Sequence, residues 1–161
     1  MRLLGPDAYG LIGMALVFIG FANIFQNFGF GSALIQRSLL AKSHYSSTFF
    51  LNIGIGMILT TTFILVAPLI SLFYGNEDIL KVIQVLSFSF LFASLGIVPK
   101  SLMQRRMRFD IISKIEIITT VIPGIIAVIL AFMEFGVWAL VFQNLMMILM
   151  SSILYLKKVD W

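Results

Sequence analysis

A chain of 161 residues that is 60% hydrophobic and 11% charged, with a mean hydropathy of +1.06, departs from soluble globular composition, which runs near ~45–50% apolar and ~25% charged. This excludes a soluble domain and indicates an integral membrane protein. The net charge of +4 does not imply nucleic acid, because the basic residues stand at the ends of apolar runs, and the absence of Cys removes disulfide, thiolate and Cys–metal chemistry.

A bilayer core of ~30 Å requires about 20 helical residues. Five stretches meet that length, at approximately 8–34, 46–74, 79–103, 109–133 and 137–156. They predict an all-α fold: a polytopic membrane helical bundle of about five transmembrane helices, with residues 1–161 forming a single transmembrane domain. Before the first stretch, MRLLGPDAYG lacks the shape of a signal peptide, and the apolar run continues past the length of one. Along that run Asn23, Gln26 and Asn27 fall at i, i+3 and i+4, on one helical face.

In the second stretch Asn52, Gly56 and Thr60 recur every four residues, a spacing that predicts close packing of helix on helix through small side chains. It closes on Tyr74-Gly75-Asn76-Glu77-Asp78, a run with turn chemistry. The third stretch leads past Pro99 into KSLMQRRMRFDIISK (Lys100–Lys114), which holds five of the eleven basic residues. On the fourth, Glu116, Thr119, Thr120 and Pro123 form a polar stripe, and Asp110 and Lys114 are spaced to pair on the helix surface. Glu134-Phe135-Gly136 is a tight turn into the fifth, which carries Gln143 and Asn144 and stops at Lys157-Lys158. Pro68, Pro99 and Pro123 lie within or at the ends of stretches, where a lost backbone bond bends a helix.

Short loops rich in Lys and Arg are retained on the cytoplasmic side during membrane insertion. Placing the Lys100–Lys114 island there puts Arg37, Lys42, Lys157 and Lys158 on the same face, nine basic residues in all, and leaves Arg2 and Lys81 opposite. The expected topology therefore has a cytoplasmic C-terminus and an external N-terminus. Such an N-terminus, with no span before it, predicts a chain shortened relative to its full-length form.

No catalytic constellation is present, and the chain is not expected to be an enzyme. His44 lies in a polar loop without the further ligands a zinc site needs, and neither a P-loop nor a dinucleotide fingerprint occurs. No cofactor or metal is expected. Polar groups inside the spans are the informative set, since each is costly in hydrocarbon. Interhelical hydrogen bonding and an aqueous cleft both account for them. Arg105, Arg106 and Arg108 have guanidinium forks that match phosphate, and equally serve to retain the loop against anionic lipid heads.

RLLGPDAYGLIGMALVFIGFANIFQNFGFGSALIQR (Arg2–Arg37) resembles the early part of bacterial polysaccharide exporters. These are the O-antigen and exopolysaccharide flippases, or lipopolysaccharide biosynthesis proteins, of the multidrug/oligosaccharidyl-lipid/polysaccharide exporter superfamily. The likeness continues through Phe49–Asn52, Ala67–Ile70, Phe73–Gly75, Pro99 with Arg105, Arg106 and Phe109, and Gly136–Val141 with Gln143. It implies most of one lobe of a two-lobed exporter, lacking the family's first span and its second lobe. The implied activity is flipping of undecaprenyl-diphosphate-linked oligosaccharide across the bacterial inner membrane for surface polysaccharide synthesis. Candidate head-group contacts are Asn23, Gln26, Asn27, Arg37, Arg105 and Gln143, and the candidate ion-coupling acid is Glu116. Expected partners are the lipid-linked oligosaccharide, membrane lipids, and a second lobe or polysaccharide polymerisation proteins. Two alternatives stay open: a multidrug antiporter of the same superfamily, and a non-transporting fragment or helical assembly module.

Overall fold

The computed structural model describes residues 42–159, with Gly10, Gly13, Leu16, Val17 and Gly20, so most of the expected first span lies outside the described residues. Four α-helices follow in order: α1 (Lys42–Tyr74), α2 (Glu77–Arg105), α3 (Phe109–Phe132) and α4 (Val137–Lys158). All four are long and apolar enough to cross a membrane, and no strand occurs among the described residues. The all-helical membrane architecture read from composition is the one the chain adopts. Helices α1, α2 and α3 run without interruption through Pro68, Pro99 and Pro123.

Three of the helices end in the same way. The Asn76 N–H reaches back to the Ser71 carbonyl and the Gly75 N–H to that of Leu72, both at 3.3 Å. Arg108 and Met107 repeat this pair of bonds onto Met103 and Gln104, and Phe135 and Glu134 onto Leu130 and Ala131. The motif satisfies carbonyls left over at a helix end and requires a left-handed residue. Gly75 takes that conformation at φ 64°, Met107 at 56° and Glu134 at 63°. At Met107 no glycine announces the turn, and the basic island is accordingly two helix ends joined by Arg106–Arg108 rather than a long loop.

The ends also suit the helix dipoles. Asn76 caps α2 by accepting from the Asp78 N–H at 2.9 Å, with Glu77 and Asp78 in the first turn. Arg105 lies in the last turn of α2, and Lys157 and Lys158 in that of α4. These cations, the basis of the expected topology, stabilise helix C-termini.

Helix α2 is the central element, packed between α1 and α4. Residues two apart on a helix point about 200° apart, given 3.6 residues per turn, so one short segment can serve both neighbours. Gly56 of α1 lies so close to α2 that an added Cβ would stand 2.7 Å from Ser94 Oγ. On the other flank a Cβ at Gly96 would stand 2.7 Å from Ser152 Oγ of α4. The Asn52–Gly56–Thr60 face is buried, as its spacing predicts. Thr60 Oγ1 shares its proton between the Gly56 carbonyl at 2.8 Å and the Ser87 carbonyl at 3.1 Å. Thr60→Val should cost only about 0.6 kcal/mol, and at most about 1.7, the range for single interhelical bonds in membranes. A thermal melt of the detergent-solubilised protein checks this; a drop beyond a few degrees would mean that Thr60 does more.

The main apolar core joins α1, α2 and α4 around Ile79, Val82, Ile83, Leu86 and Phe90, with Phe63 tilted against Phe90 at 5.1 Å between ring centres. At the opposite end, Val98 and Leu102 pack with Val159, Tyr45 and Phe49. Met103, Ile112, Ile115 and Tyr155 tie α3 to the ends of α2 and α4. The outward faces remain apolar, with Leu72 and Phe73 of α1 and Ile117 and Phe132 of α3 more than 60% exposed. A soluble protein avoids such continuous apolar surface; a lipid-facing helix requires it.

Candidate functional site

Between α2, α3 and α4 the packing opens into a cleft of about 370 Å³, lined from α2 by Gly96 and Lys100, from α3 by Glu116, Thr119 and Thr120, and from α4 by Ser151, Ser152 and Tyr155, among others. It exists because α3 packs closely on α4 but meets α2 at few points. Small residues on the α2 and α4 walls keep it from filling.

An ion pair spans the cleft. Lys100 Nζ stands 2.9 Å from Glu116 Oε1. The Tyr155 hydroxyl donates to the same oxygen at 3.4 Å, and the Lys100 ammonium lies 5.7 Å from the centre of the Tyr155 ring. Both charged side chains remain accessible, at 39% for Lys100 and 52% for Glu116, while Tyr155 is buried as a supporting wall. Three hydroxyls near the pair are bonded to backbone carbonyls. Thr119 bonds the Ile115 carbonyl at 2.9 Å and Ser151 that of Ile148 at 2.8 Å, while Ser152 crosses to the Phe92 carbonyl at 2.6 Å.

Glu116 is thus in the cleft, with Thr119 and Thr120 of its predicted stripe beside it. Arg105 stands in the last turn of α2, half-buried, and does not line the cleft. Gln143 lies one turn beyond Met147 on α4, where its Nε2 would be 3.9 Å from a Cβ at Gly124. Asn23, Gln26, Asn27 and Arg37 lie outside the described residues. The Asp110–Lys114 pair suggested by spacing is not among the ion pairs of the described residues.

Lys100 and Tyr155 were not singled out by sequence reasoning, although one signal pointed to Lys100. In an antiparallel hairpin, residues equidistant from the turn lie at the same depth. Lys100 and Glu116 stand seven and nine residues from Met107, the middle of the turn, and so within about 3 Å of the same depth at 1.5 Å per residue. Tyr155 had no comparable signal, since its place depends on how α4 is set against α3.

Comparison with known proteins gives the family of the chain. A family described as polysaccharide biosynthesis protein matches residues 1–161. The teichuronic acid biosynthesis protein TuaB of Bacillus subtilis (strain 168) is 32% identical over 84% of this chain and 28% of its own length. The lipopolysaccharide biosynthesis protein WzxC of Escherichia coli (strain K12) is 29% identical over 71% of this chain and 23% of its own. For the succinoglycan biosynthesis transport protein ExoT of Rhizobium meliloti (strain 1021) the figures are 26%, 88% and 29%. The chain therefore spans roughly a quarter of the length of these curated relatives. No solved structure matches it. A match along every residue, on a bundle of membrane-length helices, makes the chain a member of the polysaccharide biosynthesis protein family.

Proposed function

We propose that the chain is part of a flippase that carries undecaprenyl-diphosphate-linked oligosaccharide across the bacterial inner membrane, exposing a polar cleft to each face in turn. The observation that carries this reading is the Lys100–Glu116 pair, open to a cleft among membrane-length helices. Charges are expensive at membrane depth, and those that occur there mark substrate or ion pathways by default. The names of the relatives, one a lipopolysaccharide biosynthesis protein and one a succinoglycan biosynthesis transport protein, support a polysaccharide cargo. A multidrug antiporter would use Glu116 as an exchangeable acid; its carboxylate is already engaged by Lys100 and Tyr155, which favours the flippase.

In this reading Arg105 and, outside the described residues, Arg37 offer cations to the diphosphate. Asn23, Gln26, Asn27 and Gln143 add polar contacts to the head group. Arg105→Ala in the complete transporter should reduce surface polysaccharide about tenfold, the weight of a charge-assisted contact, with unchanged protein in the membrane. Normal export by that variant removes Arg105 from the site. Deleting the complete gene should leave lipid-linked oligosaccharide stranded on the cytoplasmic leaflet; unchanged export by the deletion strain would defeat the flippase reading.

The proposed orientation, with a cytoplasmic C-terminus, puts Asn76 on the periplasmic side and Arg106 inside. A cysteine introduced as Asn76→Cys should react with a membrane-impermeant maleimide in intact cells whose outer layers admit the reagent. Arg106→Cys should react only after permeabilisation of the inner membrane. The reverse pattern would invert the topology.

A further inference from the structure

We infer that the cleft between α2, α3 and α4 receives the sugar of the transported molecule, as a neutral hydroxyl-rich ring, and not its diphosphate. This rests on the flippase reading and assigns one part of the cargo to one site.

The charge balance favours it. Lys100 and Glu116 cancel, so the cleft offers no net positive field. A diphosphate brings only acceptor oxygens and negative charge; seated on Lys100 it would also meet the Glu116 carboxylate, which is half exposed to the same space. A sugar hydroxyl donates and accepts at once. One hydroxyl can take a proton from the ammonium while its neighbour gives one to the carboxylate.

The open valences match. Both bonds to Glu116 fall on Oε1, and Oε2 has no hydrogen-bond partner among the described residues. The ammonium directs one of its three N–H groups to Glu116, leaving donors for a ligand. Thr120 is exposed in the cleft wall, and its hydroxyl has no partner among the described residues. Ser151 gives its proton to its own helix but keeps oxygen lone pairs facing the cleft. Donors and acceptors thus alternate around the opening, the pattern a polyol requires. The volume, about 370 Å³, lies at the small end of ordinary ligand sites, which span about 300–1,000 Å³. It suits a single ring better than a whole oligosaccharide.

The test measures equilibrium binding to the complete purified transporter with two probes: undecaprenyl diphosphate bearing the host strain's oligosaccharide, and undecaprenyl diphosphate alone. Lys100→Gln, Glu116→Gln and Thr120→Val should each weaken the sugar-bearing probe, by about tenfold for the charged positions and severalfold for Thr120. Affinity for the bare diphosphate should stay within about twofold, and its retention also reports an intact fold. A Lys100→Gln variant that loses both probes equally, while Thr120→Val keeps both, places the phosphate on Lys100 and overturns the inference. Unchanged affinity of all three variants for the sugar-bearing probe overturns it too. Wild-type protein that binds neither probe refutes the flippase reading itself, a result distinct from the other two.

Discussion

Lys100→Met in the complete transporter should lower surface polysaccharide export at least tenfold and destabilise the protein, while the double variant Lys100→Met/Glu116→Leu regains stability but not export. The single change leaves the Glu116 carboxylate without its cation among membrane-length helices. A lone charge costs ~2.5–3.5 kcal/mol at the centre of a membrane helix on insertion scales and less toward its end, where Lys100 lies five residues from Arg105 and Glu116 seven from Phe109. Both side chains are substantially exposed to the cleft, at 39% and 52%, so much of that cost is relieved by water. A loss of about 1–2 kcal/mol is therefore expected for either single variant, and under ~1 kcal/mol for the double, as apolar replacement of an ion pair is often neutral. The coupling between the two sites, read from a double-mutant cycle of melting temperatures, should thus be about 1 kcal/mol or more. Export separates structure from function. A pair that serves only to hold α3 against α2 would be replaced by Met and Leu without loss of transport. Full export by the double variant would remove both residues from the translocation path.

Gly96→Leu should deplete the complete transporter from the membrane, because Gly96 sits where α2 and α4 approach closely. A Cβ there would lie 2.7 Å from Ser152 Oγ and 3.2 Å from the Ser152 Cα. The first contact can yield by rotation of the serine, at the expense of its bond to the Phe92 carbonyl. The second is backbone and yields only if the helices separate. Overpacking of this kind costs about 1–3 kcal/mol and the interhelical bond about 0.6 more, against a total stability of ~5–15 kcal/mol. Gly96→Ala should be milder, and Ser152→Gly should partly rescue it by removing the Cβ and Oγ that obstruct. Gly54 is the control: nothing lies within 4 Å of its would-be Cβ, and Gly54→Ala should leave abundance at or above wild type. Equal abundance of Gly96→Leu and Gly54→Ala would show that the two helices are not in close contact.

Much of the fold was legible because bilayer geometry constrains sequence directly. A spanning helix announces itself by length and by the lack of charge, and Gly75 and Gly136 marked two of the three turns. The buried face of α1 was legible from the spacing of Asn52, Gly56 and Thr60, since a four-residue recurrence stays on one side of a helix. The third turn carries no glycine. Met107 adopts the left-handed conformation without being glycine; the apolar stretches still leave that turn between 103 and 109, but the basic island was read as one unit from Lys100, well inside α2.

That boundary concealed half of the cleft. Lys100 was read as part of the island, and Glu116 as a candidate ion-coupling acid with no cation assigned to it. Asp110 and Lys114 were paired by spacing within one helix, whereas the pair that forms runs between helices. Ser152 and Tyr155 enter through the rotation of α4 about its own axis, which local pattern does not encode.

Close backbone contact on both flanks, at Gly56–Ser94 and at Gly96–Ser152, makes α2 the keel of this assembly. It cannot roll or slide without tearing one seam or the other. Any widening of the gap beside it falls to α3, the outer leaf, which is tied to the keel near their shared turn by the Met103 contacts and one electrostatic bolt that water or cargo can draw.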